Sequence, residues 1–185
     1  MTHEIAVSIF KYSWSLLLLI TVMFSIVYED WPRARAGWVT NLIVAVPYLL
    51  VFGLYYLGKF TGTFTGNETG RITGAAMLFT GMAIYISSHF SLRRNWSILA
   101  SVKKRHSLVK NGLYRYIRHP MYASMFLIVP GSGLLISNYL IIMVTPLIAF
   151  IYYLRAMKEE TFLAENLPDY ASYLKETRMF IPKIW

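Results

Sequence analysis

Two short stretches hold most of the side chains that can do chemistry. The first, HSLVKNGLYRYIRHPMY, spans 106–122 and offers His106, Tyr114, Arg118, His119 and Tyr122. The second, LRAMKEETFL, spans 154–163 and offers Arg155, Glu159 and Glu160. Taken singly, each has a plain structural role open to it. Arg118 can be an interfacial anchor, and Tyr114 and Tyr122 members of an aromatic belt. Glu159 can be the ion-pair partner of Arg155, four residues earlier on a helix, and Glu160 is expected to be solvated. His119 stands apart, because an ionisable group at the mouth of an apolar run is costly without a partner or a task. Pro120 suits the first turn of a helix, where its missing N–H has no partner in any case. That makes His119 an N-cap-region residue, beside free N–H groups that attract anions.

Several chemistries fit this set poorly. A metal site is not expected: the four histidines, His3, His89, His106 and His119, form no H-x-x-x-H pair, and the chain has no cysteine. Ser124 and Ser132 sit in apolar runs, without the G-x-S-x-G elbow of a serine hydrolase. The glycines at 62, 66, 70 and 74 lack the Gly-Lys-Ser/Thr of a phosphate-binding loop. Their spacing of four allows helix packing, but threonines and Asn67 break up the apolar context, and a turn is the favoured expectation. A group transfer that needs little acid–base help fits better. Methyl transfer from a sulfonium donor is one such reaction. An acceptor carboxylate is already ionised near neutral pH, so the protein has to align the reactants and exclude water. Arg155 can orient an acceptor anion with two donors, while carboxylates and aromatic rings hold the cationic donor.

The elements that must position these residues are apolar. Of 185 residues, 56% are hydrophobic and 15% charged, and the mean hydropathy is positive. A soluble domain is nearer a quarter charged. Three runs approach the roughly 20 apolar residues a bilayer span needs: Phe10–Tyr28, Trp38–Leu57 and Ile72–Leu92. A fourth, Met121–Ser137, is shorter and contains Pro130. A fifth, Tyr139–Leu154, follows after Ser137-Asn138 alone, which predicts a tight antiparallel hairpin with a kink at Pro130. No cleavable signal peptide is expected from the first run. The predicted fold is an all-α polytopic membrane protein of about five spans. It forms a single membrane domain, with three N-terminal spans in 1–92 and a catalytic region in 93–185.

The net charge of +9 raises the question of nucleic acid, but the basic residues are grouped between apolar runs, as in cytoplasmic loops. Residues 93–118 carry eight of them, and Arg155, Lys158, Lys175, Arg178 and Lys183 follow in the tail. The positive-inside rule places the N-terminus outside and the C-terminus in the cytoplasm, consistent with five spans. Two chemistry-bearing segments far apart in sequence then share one membrane face.

On those residues the chain resembles the isoprenylcysteine carboxyl methyltransferase family. The resemblance lies in His106-x-Leu-Val-x-x-Gly112-x-Tyr114, in Arg118-His119-Pro120-x-Tyr122, and in Arg155-x-x-x-Glu159-Glu160-x-x-Leu163. Tyr170-x-x-Tyr173, Arg178…Pro182 and RRNWS at 93–97 extend it over about residues 90–185. The resemblance implies an integral-membrane enzyme that uses S-adenosyl-L-methionine. Carried over by position, the cofactor contacts are His106, Ser107, Leu108, Val109, Tyr114, His119, Pro120, Met121, Tyr122 and Glu159, with Arg155 facing the acceptor. It further implies a cytoplasmic-side pocket closed by the tail and a lipophilic or prenylated acceptor entering from the bilayer. Leu167-Pro168 stands where relatives often have Phe-Gly, and the eukaryotic members have further N-terminal spans. Two other readings remain: an NADPH-dependent membrane reductase of the sterol-reductase type, and a non-enzymatic membrane protein whose basic face binds anionic lipid.

Overall fold

The computed structural model describes residues 1–28, 38–61, 63–95 and 108–182; for 28, 38–44, 58–61 and 94 this means the backbone alone. The elements in order are α1 (His3–Tyr28), α2 (Trp38–Thr61), α3 (Glu68–Leu92) and a 3-10 turn (Arg93–Asn95). A second 3-10 turn (Gly112–Arg115), α4 (Pro120–Leu135), α5 (Tyr139–Met143), α6 (Thr145–Asn166) and α7 (Tyr170–Glu176) complete the set. The described residues contain no strand, only two isolated bridges, Thr63 with Asn138 and Ile117 with Arg178. The fold is all-helical.

Among the described residues, three stretches are long and apolar enough to cross a membrane: His3–Val27, Glu68–Leu92, and Tyr139–Asn166, which joins α5 and α6. Ala45–Leu57 within α2, and α4, are shorter apolar helices. Sixteen residues of α4 rise about 24 Å, short of a hydrocarbon core about 30 Å thick. Large apolar side chains on α1, among them Leu19, Ile26 and Val27, are exposed. Water would penalise that surface and lipid does not. The chain is an integral membrane protein.

Local chemistry sets the helix ends. Asn67 caps α3, its Oδ1 accepting from the Gly70 N–H at 2.7 Å. Asn138 caps α5 by accepting from the N–H groups of Leu140 (3.0 Å) and Ile141 (3.3 Å). Pro146 has no N–H to give to Ile142, and the helix breaks at Val144 between α5 and α6. The predicted fifth span is thus two pieces, and α6 runs twelve residues beyond Leu154. Helix α4 continues through Pro130. It ends in a Schellman turn: the Asn138 N–H donates to the Gly133 carbonyl (2.8 Å) and that of Ser137 to Leu134 (3.3 Å). Ser137 takes the left-handed conformation there, with φ of 57°. The predicted hairpin is present, α4 turning into α5 within three residues.

The seam between α3 and α4 is built on glycine. A Cβ on Gly74 would lie 2.5 Å from the Leu135 nitrogen and 2.7 Å from the Gly131 carbonyl oxygen. One on Gly131 would meet the Gly74 oxygen and the Leu78 nitrogen at 2.9 Å. The backbones approach as close as small residues allow. This corrects the expectation of a plain turn at the spaced glycines. Gly66 lies in the loop, but Gly70 and Gly74 are helical and Gly74 packs; Gly62 lies outside the described residues.

One end of the bundle holds the N-terminus. The Met1 amino group meets Glu68 Oε1 at 3.1 Å, and the Phe64 N–H donates to the Ser137 carbonyl at 3.0 Å. Aromatic residues of α1 and α2 fill the middle, where the Trp14 indole donates to Ser132 Oγ (2.8 Å) and Thr21 joins the hydroxyls of Tyr85 (2.6 Å) and Tyr48 (3.0 Å). The opposite end gathers the last turn of α3, the 108–119 loop, the start of α4, the second half of α6 and the tail.

Candidate active site

The site begins with the way Pro120 starts α4. As the first helical residue it leaves His119 at the N-cap, with φ of −124° and ψ of 59° and no side-chain capping bond. The imidazole is therefore free to face α6. Residues 116–119 are in turn fixed by the tail. The Arg118 N–H donates to the Arg178 carbonyl (2.8 Å), that of His119 to Met179 (3.1 Å), and that of Arg178 to Tyr116 (3.3 Å). This short parallel pairing lays 178–179 against the loop before α4.

Glu159 and Glu160 are consecutive on α6, so their side chains leave the helix about 100° apart and reach different partners. Glu159 Oε1 accepts from the Tyr122 hydroxyl at 2.5 Å and from Arg155 Nε at 3.0 Å. Arg155 Nε also donates to the Tyr122 oxygen at 2.7 Å. Glu159 Oε2 lies 3.7 Å from His119 Nδ1. Arg155, Glu159, Tyr122 and His119 thus form one cluster across the α4–α6 seam. Arg155 is buried on the face of α6 that carries Tyr152 and Ala156. The rings of His119 and Tyr122 stack (5.4 Å, 4°), and Tyr122 stacks in turn on Tyr152 (4.7 Å, 14°). A ring column therefore leads from the site into the apolar core.

Two residues given bland roles by sequence belong here. Arg118 is no interfacial anchor and Glu160 is not solvated, their side chains being only 10% and 14% exposed. Arg118 Nε and a terminal nitrogen donate to the two Glu160 oxygens at 2.6 and 3.3 Å. Its other terminal nitrogen donates to the Thr177 carbonyl at 2.6 Å. Glu160 Oε1 also meets His119 Nε2 at 3.1 Å. A carboxylate only accepts, so this contact puts the ring proton on Nε2. The missed signal was adjacency: two donors in a row, Arg118-His119, and two carboxylates in a row, Glu159-Glu160, are brought together across the α4–α6 seam.

The remaining expected contacts spread around this cluster. Pro120 is buried, and Met121, Leu108 and Val109 are half-buried. Tyr114 is buried in the 3-10 turn, where its backbone carbonyl accepts from the Tyr173 hydroxyl at 2.6 Å. Burial pushes the phenols of Tyr114, Tyr170 and Tyr173 up, leaving them neutral donors at ordinary pH. His106 and Ser107 lie outside the described residues, as do Trp96 and Ser97 of the RRNWS segment. No group of three or more His, Asp or Glu able to hold a metal ion occurs among the described residues.

A bundle of apolar helices with a charged, ring-lined cluster at one end matches a known class. The profile of the phospholipid methyltransferase family matches residues 69–169, more than half of the chain, and the chain belongs to that family. Among curated relatives, the protein-S-isoprenylcysteine O-methyltransferase of Schizosaccharomyces pombe is 33% identical over 90 residues. That match covers 47% of this chain and 38% of the relative. The cobalt-zinc-cadmium resistance protein CzcN of Cupriavidus metallidurans is 31% identical over 93 residues, covering 49% of this chain and 43% of its own. The nickel-cobalt-cadmium resistance protein NccN of Alcaligenes xylosoxydans xylosoxydans is 29% identical over 112 residues, covering 60% and 52%. The matches therefore span about half or less of each relative's length. A solved structure of the eukaryotic intramembrane Ras methyltransferase, an isoprenylcysteine carboxyl methyltransferase, aligns with 98% of this chain and 65% of its own. Its TM-score is 0.61 at 20% identity, which is a likeness of fold.

Proposed function

We propose that this chain is an integral-membrane methyltransferase that moves a methyl group from S-adenosyl-L-methionine to a lipophilic acceptor. The favoured acceptor group is a carboxylate, such as that of a prenylcysteine or a related isoprenoid lipid. The observation that carries the reading is the His119–Tyr122–Arg155–Glu159 cluster, assembled from two segments and set beside the docked tail. Family membership and the fold likeness support it. In this reading the chain is one membrane domain of five spans with its catalytic half in 93–185. Its N-terminus is outside, and its C-terminus and active site are on the cytoplasmic side, as the loop charges favour.

The residues present suit such a donor. Glu159 supplies negative charge beside the His119 and Tyr122 side chains. The start of α4 offers free N–H groups to a carboxylate. His106, Ser107, Leu108, Val109, Tyr114, Pro120 and Met121 complete the binding set. When bound, S-adenosylmethionine would supply an electrophilic methyl group: the acceptor oxygen's lone pair forms the new C–O bond and the C–S bonding pair stays on sulfur, no proton being moved. The chain's own work is alignment and exclusion of water. Glu159 holds Tyr122 and Arg155 in register through one oxygen. Arg155, held through Nε by Tyr122 and Glu159, is the residue that would face the acceptor anion. Phe180 of the tail lies 6.0 Å from the His119 ring and covers that flank.

Calorimetry of the purified protein with S-adenosylhomocysteine tests the donor; folded protein that binds none at millimolar concentration refutes the reading. A tritiated-methyl transfer assay against prenylcysteine analogues and membrane lipid extracts tests the acceptor. The family match favours a second acceptor, a phospholipid head group. Label in phospholipid and none in prenylcysteine would select it.

A further inference from the structure

Arg118 has more partners than an ion pair requires. Its guanidinium donates to both oxygens of Glu160 on α6 and to the Thr177 carbonyl just after α7, while its backbone N–H holds the Arg178 carbonyl. Glu160 is shared in turn: the oxygen that receives Arg118 Nε at 2.6 Å also receives His119 Nε2 at 3.1 Å. The Thr177 hydroxyl closes the turn by donating to the Tyr173 carbonyl at 2.6 Å. A continuous chain of bonds therefore runs from the tail backbone through Arg118 and Glu160 to His119. Desolvating both charges is costly, and an exposed pair would anchor a tail more cheaply. Lys110–Glu176, at 3.5 Å with side chains 40% and 59% exposed, is such a pair in this same tail.

We propose that Arg118 and Glu160 are positioning residues, a latch that couples docking of the 177–180 tail to the orientation of the His119 ring, and so to donor affinity. The proposal rests on S-adenosylmethionine being the donor at this site. With the tail docked, Arg118 is spread across Glu160 and Thr177, and Glu160 fixes the His119 proton on Nε2. With the tail lifted, Arg118 loses its carbonyl partner, and Glu160 is free to follow Arg118 away from the imidazole. Coupling of this kind is reciprocal: what the tail does for the donor, the donor must do for the tail.

The test uses the full chain in lipid nanodiscs, with trypsin cleavage after Arg178 read by intact mass as loss of 179–185. S-adenosylhomocysteine binding is measured on the same samples. In the wild type, saturating S-adenosylhomocysteine should slow that cleavage about tenfold or more. Glu160→Gln faces an amide N–H toward the second Arg118 donor and breaks the fork. Arg118→Lys keeps the charge and loses the planar fork. Both variants should bind the ligand about tenfold more weakly and lose most of the ligand's protection of the tail. Their kcat at saturating donor should stay within about threefold of wild type, a split that general loss of fold does not produce. Lys110→Ala should change neither readout by more than about twofold. The latch is overturned if the wild type binds ligand without protecting the tail, or if Glu160→Gln keeps wild-type affinity and protection. An equal loss on Lys110→Ala overturns it too. A folded wild type that binds no ligand overturns the donor reading and the latch with it.

Discussion

Helix α4 meets two of its neighbours, α3 and α6, by opposite means. Against α3 it presents Gly131, and the contact is backbone on backbone, with Gly74 opposite. Against α6 it presents Tyr122, with His119 just before its first turn, and the contact is rings, carboxylates and a buried guanidinium. The first seam stabilises by proximity: small residues let two helices approach where lipid offers no hydrophobic drive to associate. The second buries charges whose desolvation must be offset by several bonds each. A fold alone would not need that second seam. Its residues set geometry, and the glycine seam supplies the rigid wall from which they do so.

Breaking the first seam should have the largest effect. Gly131→Leu forces a side chain into the Gly74 carbonyl and the Leu78 nitrogen, neither of which can give way as a flexible side chain would. Loss of the monodisperse folded species, followed by detergent size-exclusion chromatography, is the expected outcome. In the second seam, Glu159→Gln keeps a carbonyl oxygen for Tyr122 and Arg155 and removes only the charge. Methyl transfer should fall by about a hundredfold or more while the melting temperature stays close to wild type. Arg155→Lys should lower kcat about tenfold or more with donor affinity retained, because lysine cannot offer a planar pair of donors. Equal loss of donor affinity by calorimetry would assign Arg155 to the donor instead.

The smallest effect belongs to the turn that ends α4. Ser137 is left-handed there, and its buried Oγ has no hydrogen-bond partner among the described residues. Ser137→Gly should stabilise by about 1 kcal/mol and raise the melting temperature by roughly 2–4 °C. No gain in a thermal melt would mean that Gly66, packed onto Ser137, already uses that side chain as a contact.

Much of this architecture was legible in the sequence, and particular residues show why. Pro120 marked the start of α4 because a residue without an N–H is tolerated in a first helical turn. Ser137-Asn138 marked the hairpin because two polar residues between apolar runs leave room only for a turn, and Asn138 caps the helix after it. The break at Val144 was missed although Pro146 signalled it; a composition-based span runs through a proline that the hydrogen-bond ladder cannot. The glycine spacing misled because Gly66 lies in a polar loop. Packing at Gly74 is decided by Gly131 opposite, which is distant in the chain.

The sequence by itself determined the apolar helices, the polar segments between them and the inventory of side chains able to hold a cation beside an anion. Hydropathy and proline chemistry act locally, and a linear reading captures local causes. The Arg155–Glu159 pair was legible from its spacing of four, but the partners of Arg118 and His119 were decided only in three dimensions. Glu159 and Glu160 are neighbours of one residue type, and only the helical turn between them sends one to Tyr122 and Arg155 and the other to Arg118 and His119. The docking of the 177–180 tail onto the loop before α4 was likewise a tertiary matter. Its backbone bonds join residues about sixty positions apart, and nothing in either segment alone requires the other.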